Sequence, residues 1–423
     1  MKKILKNISW LIFDKVFILL LQFLIGAKIA NHYGSLDYGK YSYAVSIVAF
    51  SPMLIEIINT RIVKTYFYKY KFNIIVSIVS TFKNIISLLI LFLIILSKVF
   101  FQVDNEMYLL LIFIGLDNVF TSSTIGIENY FEYKMNSKYI VISNNIIKLI
   151  SYTIQYLGII LGFNIISIPV ARCFGSLIRT FILRYQYRKI YHNREKVIFN
   201  IRIISKLIKE SCFLWLSFIS FILSTNIDRI MLGKMASISD VGIYSIGIQL
   251  GSVLMILIAP FQTTIFSELL NLYKTSKEIY LKRYIFYTKL LTSIYLLIIP
   301  LSIIVLKVSF LYVFSKEYIN AINVYIILSF GILIKANVFL RSSHLTLVNM
   351  SKLILKSEML AAVSNVLLNY ILIKKHGIYG AAVATSTTQI ISLWIIDSFS
   401  KEGRKLLVNH LKGFWVFNIK KYK

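Results

Sequence analysis

The chain has 423 residues, of which 57% are apolar and only 15% charged, which is too few charges for the surface of a soluble domain. A net charge of +29 would suit a nucleic-acid-binding protein, but the basic residues alternate with long apolar runs and form no single patch, which argues against nucleic acid as a partner. Cys173 and Cys212 both fall within apolar runs, so we expect neither a disulfide nor a metal site.

Apolar segments long enough to cross a bilayer follow one another along the chain. Twelve are predicted, at about 8–31, 40–62, 74–97, 107–130, 139–162, 164–184, 210–234, 241–267, 284–307, 318–340, 354–375 and 378–400. Because six per half is an even number, both halves enter the membrane in the same direction. The predicted fold is an all-α integral membrane protein: two six-helix bundles, related by a pseudo-twofold axis along the membrane normal, with a central polar cationic cavity.

Two repeated motifs support this duplication. A D-x-G-x-Y-S motif occurs twice, 203 residues apart, as Asp37-Tyr38-Gly39-Lys40-Tyr41-Ser42 and Asp240-Val241-Gly242-Ile243-Tyr244-Ser245. Met135-Asn136-Ser137-Lys138 likewise resembles Asn349-Met350-Ser351-Lys352. The predicted domains are residues 1–190 and 210–400, with a basic linker at 191–209 and a basic tail at 401–423.

The loops differ strongly in positive charge from one side of the predicted bundle to the other. The termini and even-numbered loops hold 31 Lys and Arg residues, the odd-numbered loops hold 8, and the remaining 8 lie within spans. By the positive-inside rule, both termini are cytoplasmic. The outer loops are too short to hold a catalytic domain, and the chain has no Walker loop, G-x-S-x-G or H-E-x-x-H motif, so we expect no enzyme and no catalytic residues.

Polar side chains form stripes at helical spacing within several predicted spans. They are Asp117, Thr121, Thr124 and Glu128; Asn144, Lys148, Ser151 and Gln155; Arg172, Ser176 and Arg179; Ser217, Ser224 and Asp228; and Glu358, Asn365 and Asn369. A charge at mid-bilayer costs about 2.5–3.5 kcal/mol, so these stripes predict a shared polar interior.

Several of these charges also have an ordinary structural interpretation. Asp117 could pair with Lys148 or Arg172, and Asp228 could pair locally with Arg229. Charges near predicted helix ends would reach the interface by extending along the helix, as expected for Lys15, Lys289, Glu128, Glu268 and Arg341. Arg172 and Arg179 share one face near mid-membrane, which favours a cavity-lining role for both.

Two stretches resemble signatures of the oligosaccharide repeat-unit flippases, the polysaccharide exporter branch of the multidrug/oligosaccharidyl-lipid/polysaccharide superfamily. The first is Asn226-Ile227-Asp228-Arg229-Ile230-Met231-Leu232-Gly233 with Val241-Gly242-Ile243-Tyr244-Ser245. The second is Asn365-Val366-Leu367-Leu368-Asn369-Tyr370 with His376-Gly377-Ile378-Tyr379-Gly380-Ala381-Ala382-Val383-Ala384-Thr385.

The resemblance implies a bacterial inner-membrane flippase that moves undecaprenyl-diphosphate-linked oligosaccharide to the outer leaflet for O-antigen or capsule synthesis. A polysaccharide polymerase and a chain-length regulator are its implied partners. Cations suit the diphosphate, and the expected substrate-binding set is Arg172, Arg179, Lys148, Lys28, Arg229 and Lys335. The alternatives are a multidrug or small-solute antiporter of the same superfamily, a membrane polysaccharide polymerase or ligase, and a structural scaffold.

A carrier without a nucleotide site needs another means of resetting, such as an ion gradient. Carboxylates within the spans can take up H⁺ or Na⁺ when burial raises their affinity. The candidates are Asp117, Asp228 and Glu56, and no other cofactor is expected. Asp117 ranks first because two threonines share its face.

Overall fold

The computed structural model describes residues 2–101, 103–192, 196–255, 258–348, 350–399 and 401–414. Within these residues, the regular elements are helices. The chain divides into two compact units, Met1–Ile222 and Leu223–Lys423.

The first unit is built around helix α8, which carries Arg172 and Arg179. Helix α8 packs against α5 and α7, and α1 packs against both of those neighbours. The helices are α1 (Lys2–Val48), α2 (Ser51–Ile55), α3 (Thr60–Tyr66), α4 (Phe72–Phe101), α5 (Asn105–Ser122), α6 (Ile125–Tyr133), α7 (Ser137–Ile160), α8 (Ser167–Tyr191) and α9 (Ile201–Met235), the last of which continues into the second unit.

The second unit is built around helix α13, which packs against α10, α11, α12 and α14. Its helices are α10 (Ile238–Met255), α11 (Ile258–Thr275), α12 (Lys277–Val313), α13 (Asn320–Leu347), α14 (Ser351–Ile390), α15 (Ile396–Ser398) and α16 (Lys401–Phe414). A 3₁₀ turn at Lys316–Tyr318 precedes α13, and a π-helical turn at Ile391–Ile395 follows α14.

Two helices each contain one predicted span and the first part of the next, α1 for 8–31 and 40–62 and α14 for 354–375 and 378–400. Gly34 breaks α1 with φ 72° and ψ 176°, and Gly377 breaks α14 with φ 53° and ψ −128°. Glycine suits both positions because side-chain-bearing residues rarely adopt positive φ. A Cβ atom at Gly380 would lie only 2.1 Å from the carbonyl oxygen of Leu372, so the chain folds back tightly after Gly377.

The described helices are long and apolar enough for a multi-pass membrane protein. Seven of the described stretches qualify as spans by length and composition, or eight when α5 and α6, bent by 41°, count as one. The count of twelve spans stays a prediction. On α4, Ile85, Leu89 and Phe92 are exposed, and a contiguous apolar face of this kind requires lipid as its neighbour.

The second repeated motif has the same local structure in both units. Asn136 and Met350 have φ/ψ of −108°/33° and −101°/35° at the starts of α7 and α14. Their backbone N–H groups donate to the carbonyl oxygens of Phe131 and Leu345, each five residues back, and both bonds measure 2.8 Å. The local backbone therefore supports the sequence-based alignment of the two halves.

The first part of α9 belongs to the first unit, although the prediction begins the second bundle at residue 210. The hydroxyl of Tyr66 donates to Glu210 Oε1 at 2.9 Å, and Trp215 Nε1 donates to the carbonyl oxygen of Met53 at 2.5 Å. Residues 193–195 of the predicted linker and 415–423 of the predicted tail lie outside the described residues. Helix α16 occupies the earlier part of that tail.

Candidate functional site

Arg172, in the second turn of α8, connects three helices of the first unit. Its Nη1 donates to the hydroxyl oxygen of Tyr41 on α1 at 2.8 Å, and its Nη2 donates to Asp117 Oδ2 on α5 at 3.2 Å. The Arg172 side chain nevertheless keeps 39% of its surface exposed. The guanidinium is therefore held in place and still accessible to an anion.

Arg179 lies two turns further along the same face of α8 and is more completely occupied. Its Nε donates to Asn144 Oδ1 at 2.6 Å, its Nη1 donates to Thr124 Oγ1 at 3.4 Å, and its Nη2 lies 3.0 Å from Glu128 Oε1. Only 12% of its side chain is exposed. Three of the predicted polar stripes meet here, and Arg179 connects the helices that carry them.

The acidic residues that the sequence places in these spans are ion-paired. Glu56 Oε1 accepts from Lys83 Nζ at 2.6 Å, and the Lys83 side chain is fully buried. The structure thus shows Asp117 in the ion pair with Arg172 that the sequence left as an alternative to ion coupling. Carboxylates balance much of the positive charge in this part of the first unit.

Asp228 in α9 has a different environment, because its described hydrogen bonds come from uncharged groups. It is 2% exposed, and its carboxylate accepts from the Tyr244 hydroxyl at 2.8 Å, from Asn369 Nδ2 at 2.7 Å and from Thr385 Oγ1 at 2.5 Å. Among the residues that the structure describes, no cationic side chain forms an ion pair with it. Arg229 and Lys335 act on this carboxylate through electrostatic attraction.

A cavity of about 150 Å³ lies beside Asp228 within the second unit. Lys335, another predicted substrate-binding residue, lines this cavity together with Asp228, Tyr244 and Thr385. Asn369 Oδ1 is buried and has no hydrogen-bond partner among the described residues. This cavity therefore has a buried carboxylate, hydroxyl groups and the side chain of Lys335 in its wall.

The remaining predicted substrate-binding residues lie on three different helices. Lys28 is exposed on α1, Lys148 is half-buried on α7 and Arg229 is half-buried on α9.

Two charges predicted to extend towards the interface, Arg341 and Lys289, are instead in the protein interior, so that interpretation is wrong for them. Arg341 is 1% exposed and forms a two-point ion pair with Asp397, in which its Nε donates to Oδ2 at 2.8 Å. Lys289 is 2% exposed. Helix packing covers both side chains even though they lie near predicted span ends. Glu128 pairs with Arg179. Lys15 lies among the residues whose side chains the structure does not describe.

The sequence analysis did not predict the hydroxyl groups that contact Arg172 in the first unit and Asp228 in the second. Tyr41 and Tyr244 are the same position of the repeated D-x-G-x-Y-S motif, and each hydroxyl contacts a central charged residue. Thr385 ends the second signature and reaches Asp228 from a distant part of the sequence. The repetition of the tyrosine in both copies of the motif is the signal by which the sequence could have indicated these contacts.

Comparison with known proteins agrees with the family resemblance. The family model described as "polysaccharide biosynthesis protein" matches residues 4–266. No curated protein sequence matches the chain.

Solved structures with this fold include a lipid II flippase and multidrug transporters. The lipid II flippase MurJ in an inward closed conformation is 17% identical, with 94% of this chain and 90% of that chain covered and a TM-score of 0.67. An inward-facing MATE family multidrug resistance transporter of the MOP superfamily is 11% identical, with 96% of each chain covered and a TM-score of 0.67. An outward-facing MATE family transporter of the same superfamily is 13% identical, with 97% of this chain and 96% of that chain covered and a TM-score of 0.63. At these identities, the likeness shows the fold alone.

Proposed function

Because the chain belongs to the polysaccharide biosynthesis protein family, we propose that it is a flippase for undecaprenyl-diphosphate-linked oligosaccharide. It carries the oligosaccharide from the cytoplasmic to the outer leaflet of the bacterial inner membrane, where the units enter O-antigen or capsule synthesis. The fold neighbours are a lipid II flippase and a multidrug transporter, which favours transport over polymerase or ligase activity.

The environment of Arg172 is the observation that carries this proposal. A diphosphate needs cationic donors, and a guanidinium can offer two parallel N–H groups to one phosphate. Arg172 is positioned by Tyr41 and Asp117 but remains partly exposed, so a phosphate can replace the carboxylate as its partner. We assign the diphosphate contact to Arg172, and we assign Arg179 to holding α6, α7 and α8 together.

The substrate's three parts have different solvation needs. The diphosphate and glycan require a polar path, while the polyprenyl tail can stay in the bilayer along apolar helix faces such as the exposed row on α4. Alternating access, with the two halves moving relative to each other, would transfer the polar part while the tail remains in lipid. Because transport makes and breaks no bond in the glycan, it requires no catalytic group.

Asp228 is the best-supported coupling residue of the three carboxylates predicted from sequence. Asp117 and Glu56 already have cationic partners, whereas Asp228 is buried among neutral donors beside a cavity. The Asp228 carboxylate and the Thr385 hydroxyl, which both line the cavity, could bind a small cation, or Asp228 alone could take up a proton. We therefore propose that H⁺ or Na⁺ binding at Asp228 resets the carrier.

The test uses purified protein in vesicles that contain fluorescent polyprenyl-diphosphate-linked oligosaccharide. A membrane-impermeant glycosidase reports the glycan on the outer surface, before and after a pH or Na⁺ gradient is imposed. We expect the accessible fraction to rise faster than in protein-free vesicles, and a polyprenol-linked glycan without phosphate should not be moved. If the protein instead exchanges a lipophilic cationic dye for the gradient ion and does not move the oligosaccharide, the flippase proposal is wrong and the protein is a multidrug antiporter.

A further inference from the structure

A second cavity lies in the first unit, near the C-terminal end of α8. It has a volume of about 280 Å³, and three of the residues around it are basic. Its lining consists of Ser80, Thr81, Asn84, Ile85, Ser123, Arg184, Arg188, Lys196 and Val197.

This cavity is separate from the Arg172 site. Arg184 follows Arg172 by twelve residues on the same helix, so their backbone positions differ by about 18 Å along the axis and by about a third of a turn around it. Arg188 follows Arg184 by one turn and lies on the same face. The backbone N–H of Lys196 donates to Ser77 Oγ at 3.1 Å, which holds the segment after α8 against α4.

The lining is strongly positive and offers further polar groups. Its described residues include no Asp or Glu, while Arg188 and Lys196 are exposed and Arg184 is half-buried. Ser80 and Ser123 place hydroxyl-bearing side chains in the wall. Asn84 Oδ1 is buried without a hydrogen-bond partner among the described residues, and rotation of that amide by half a turn would present Nδ2 as a donor. This combination suits an anion with several acceptor oxygens.

One side of the cavity is apolar and continues onto the membrane-facing surface. Ile85 is 40% exposed and Val197 is 90% exposed at the cavity. From Ile85, the exposed row on α4 continues through Leu88, Leu89 and Phe92. An anion bound among the basic residues would therefore have an apolar helix face beside it, as expected for a lipid headgroup rather than a free solute.

We propose that this cavity binds the phosphate headgroup of an anionic phospholipid, with the acyl chains lying along the exposed row on α4. The positive-inside rule places this end of α8 on the cytoplasmic side, where anionic phospholipids attract basic segments. Basic pockets between helices on that side are a known type of headgroup site. The site depends on the charge and shape of this cavity and not on which substrate the protein transports.

The direct test measures phospholipid binding to the delipidated full-length protein in a neutral detergent by native mass spectrometry. We expect phosphatidylglycerol to bind in preference to phosphatidylcholine. The Arg188→Ala, Lys196→Ala double variant should bind phosphatidylglycerol about 30-fold more weakly, at about fivefold for each basic residue. Both side chains are exposed, so this variant is expected to fold.

The matched control is Lys189→Ala, Arg202→Ala, which removes the same charge from exposed positions outside the cavity lining and should bind like the parent. A photoactivatable phosphatidylglycerol should label the α4 peptide that contains Leu88 and Leu89. Equal loss in the control, equal binding of phosphatidylcholine, or displacement by equimolar inorganic phosphate would each overturn the proposal. So would a preference for polyprenyl diphosphate over phosphatidylglycerol, or labelling confined to other helices.

Discussion

Arg172 and Arg179 share a helix face but should respond differently to the same substitution. The Arg179 guanidinium contacts three acceptors and is 12% exposed, so Arg179→Ala leaves the Glu128 carboxylate without its ion-pair partner. Loss of one partner from a buried pair costs about 3–5 kcal/mol, and this pair, at 12% and 23% exposed, should approach that cost, which is a large part of a protein's net stability. We therefore expect Arg179→Ala to reduce the amount of folded protein in the membrane.

Arg172→Ala should leave the fold intact and reduce transport. The Arg172 side chain is 39% exposed, so solvent screens its ion pair with Asp117, which is 14% exposed, and the loss of this pair should cost less than the loss of the Arg179 pair. The Tyr41 hydrogen bond adds about 1 kcal/mol. Two charge-assisted bonds to a diphosphate, at about 1.5 kcal/mol each, would be lost, which corresponds to a transport rate about 100-fold lower at limiting substrate. Arg172→Lys should recover part of that loss, because lysine supplies the charge without the paired donors.

The measurements are the initial transport rate in vesicles and the thermal unfolding midpoint in detergent, both on the monodisperse fraction from gel filtration. Parental transport by folded Arg172→Ala would refute the role assigned to Arg172. An Arg179→Ala protein that unfolds at the parental temperature but does not transport would show that Arg179 contacts substrate.

Other substitutions test the remaining features. Asp228→Asn should transport without responding to an imposed pH or Na⁺ gradient, and an unchanged gradient response in vesicles would exclude Asp228 as the coupling residue. Arg341→Ala should lower the free energy of unfolding by about 3–5 kcal/mol in a denaturant titration, while Arg341→Met with Asp397→Leu should recover most of it, because no charge is then left unpaired. Gly380→Ala should lower the unfolding midpoint in a thermal scan, since its Cβ would lie 2.1 Å from a backbone carbonyl oxygen, and a parental midpoint would contradict the tight fold at this position. A topology reporter fused after Lys196 should indicate the cytoplasm, and an outside signal would refute the predicted orientation.

The helical segments and their duplication could be predicted because both depend on local sequence. Apolar runs of sufficient length specify membrane helices whatever their neighbours are. The glycines also act locally, since Gly34 and Gly377 have positive φ where the sequence suggested a junction between two spans. Asn136 and Met350 show that even the backbone bonds before α7 and α14 follow the repeated motif.

The partners of the buried charges depend on how the helices rotate against one another, which one sequence does not reveal. Asp117 ranked above Asp228 as a coupling residue because it shares a face with two threonines. In the structure, the Thr121 hydroxyl instead donates to the backbone carbonyl of Asp117, and the Asp117 carboxylate contacts Arg172. Arg341 presented the same difficulty, because Asp397, its partner, lies 56 residues away in the sequence.

The tyrosine of the duplicated motif can serve beside a cation in one half of the protein and beside an anion in the other. A guanidinium can only donate and a carboxylate can only accept, but a phenolic hydroxyl can do either. Tyr41 accepts from Arg172, whereas Tyr244 donates to Asp228. A reversal of charge beside this residue would therefore require no compensating change at the tyrosine itself. The same backbone framework is therefore compatible with an anion site in one half, as proposed for Arg172, and a cation site in the other, as proposed for Asp228.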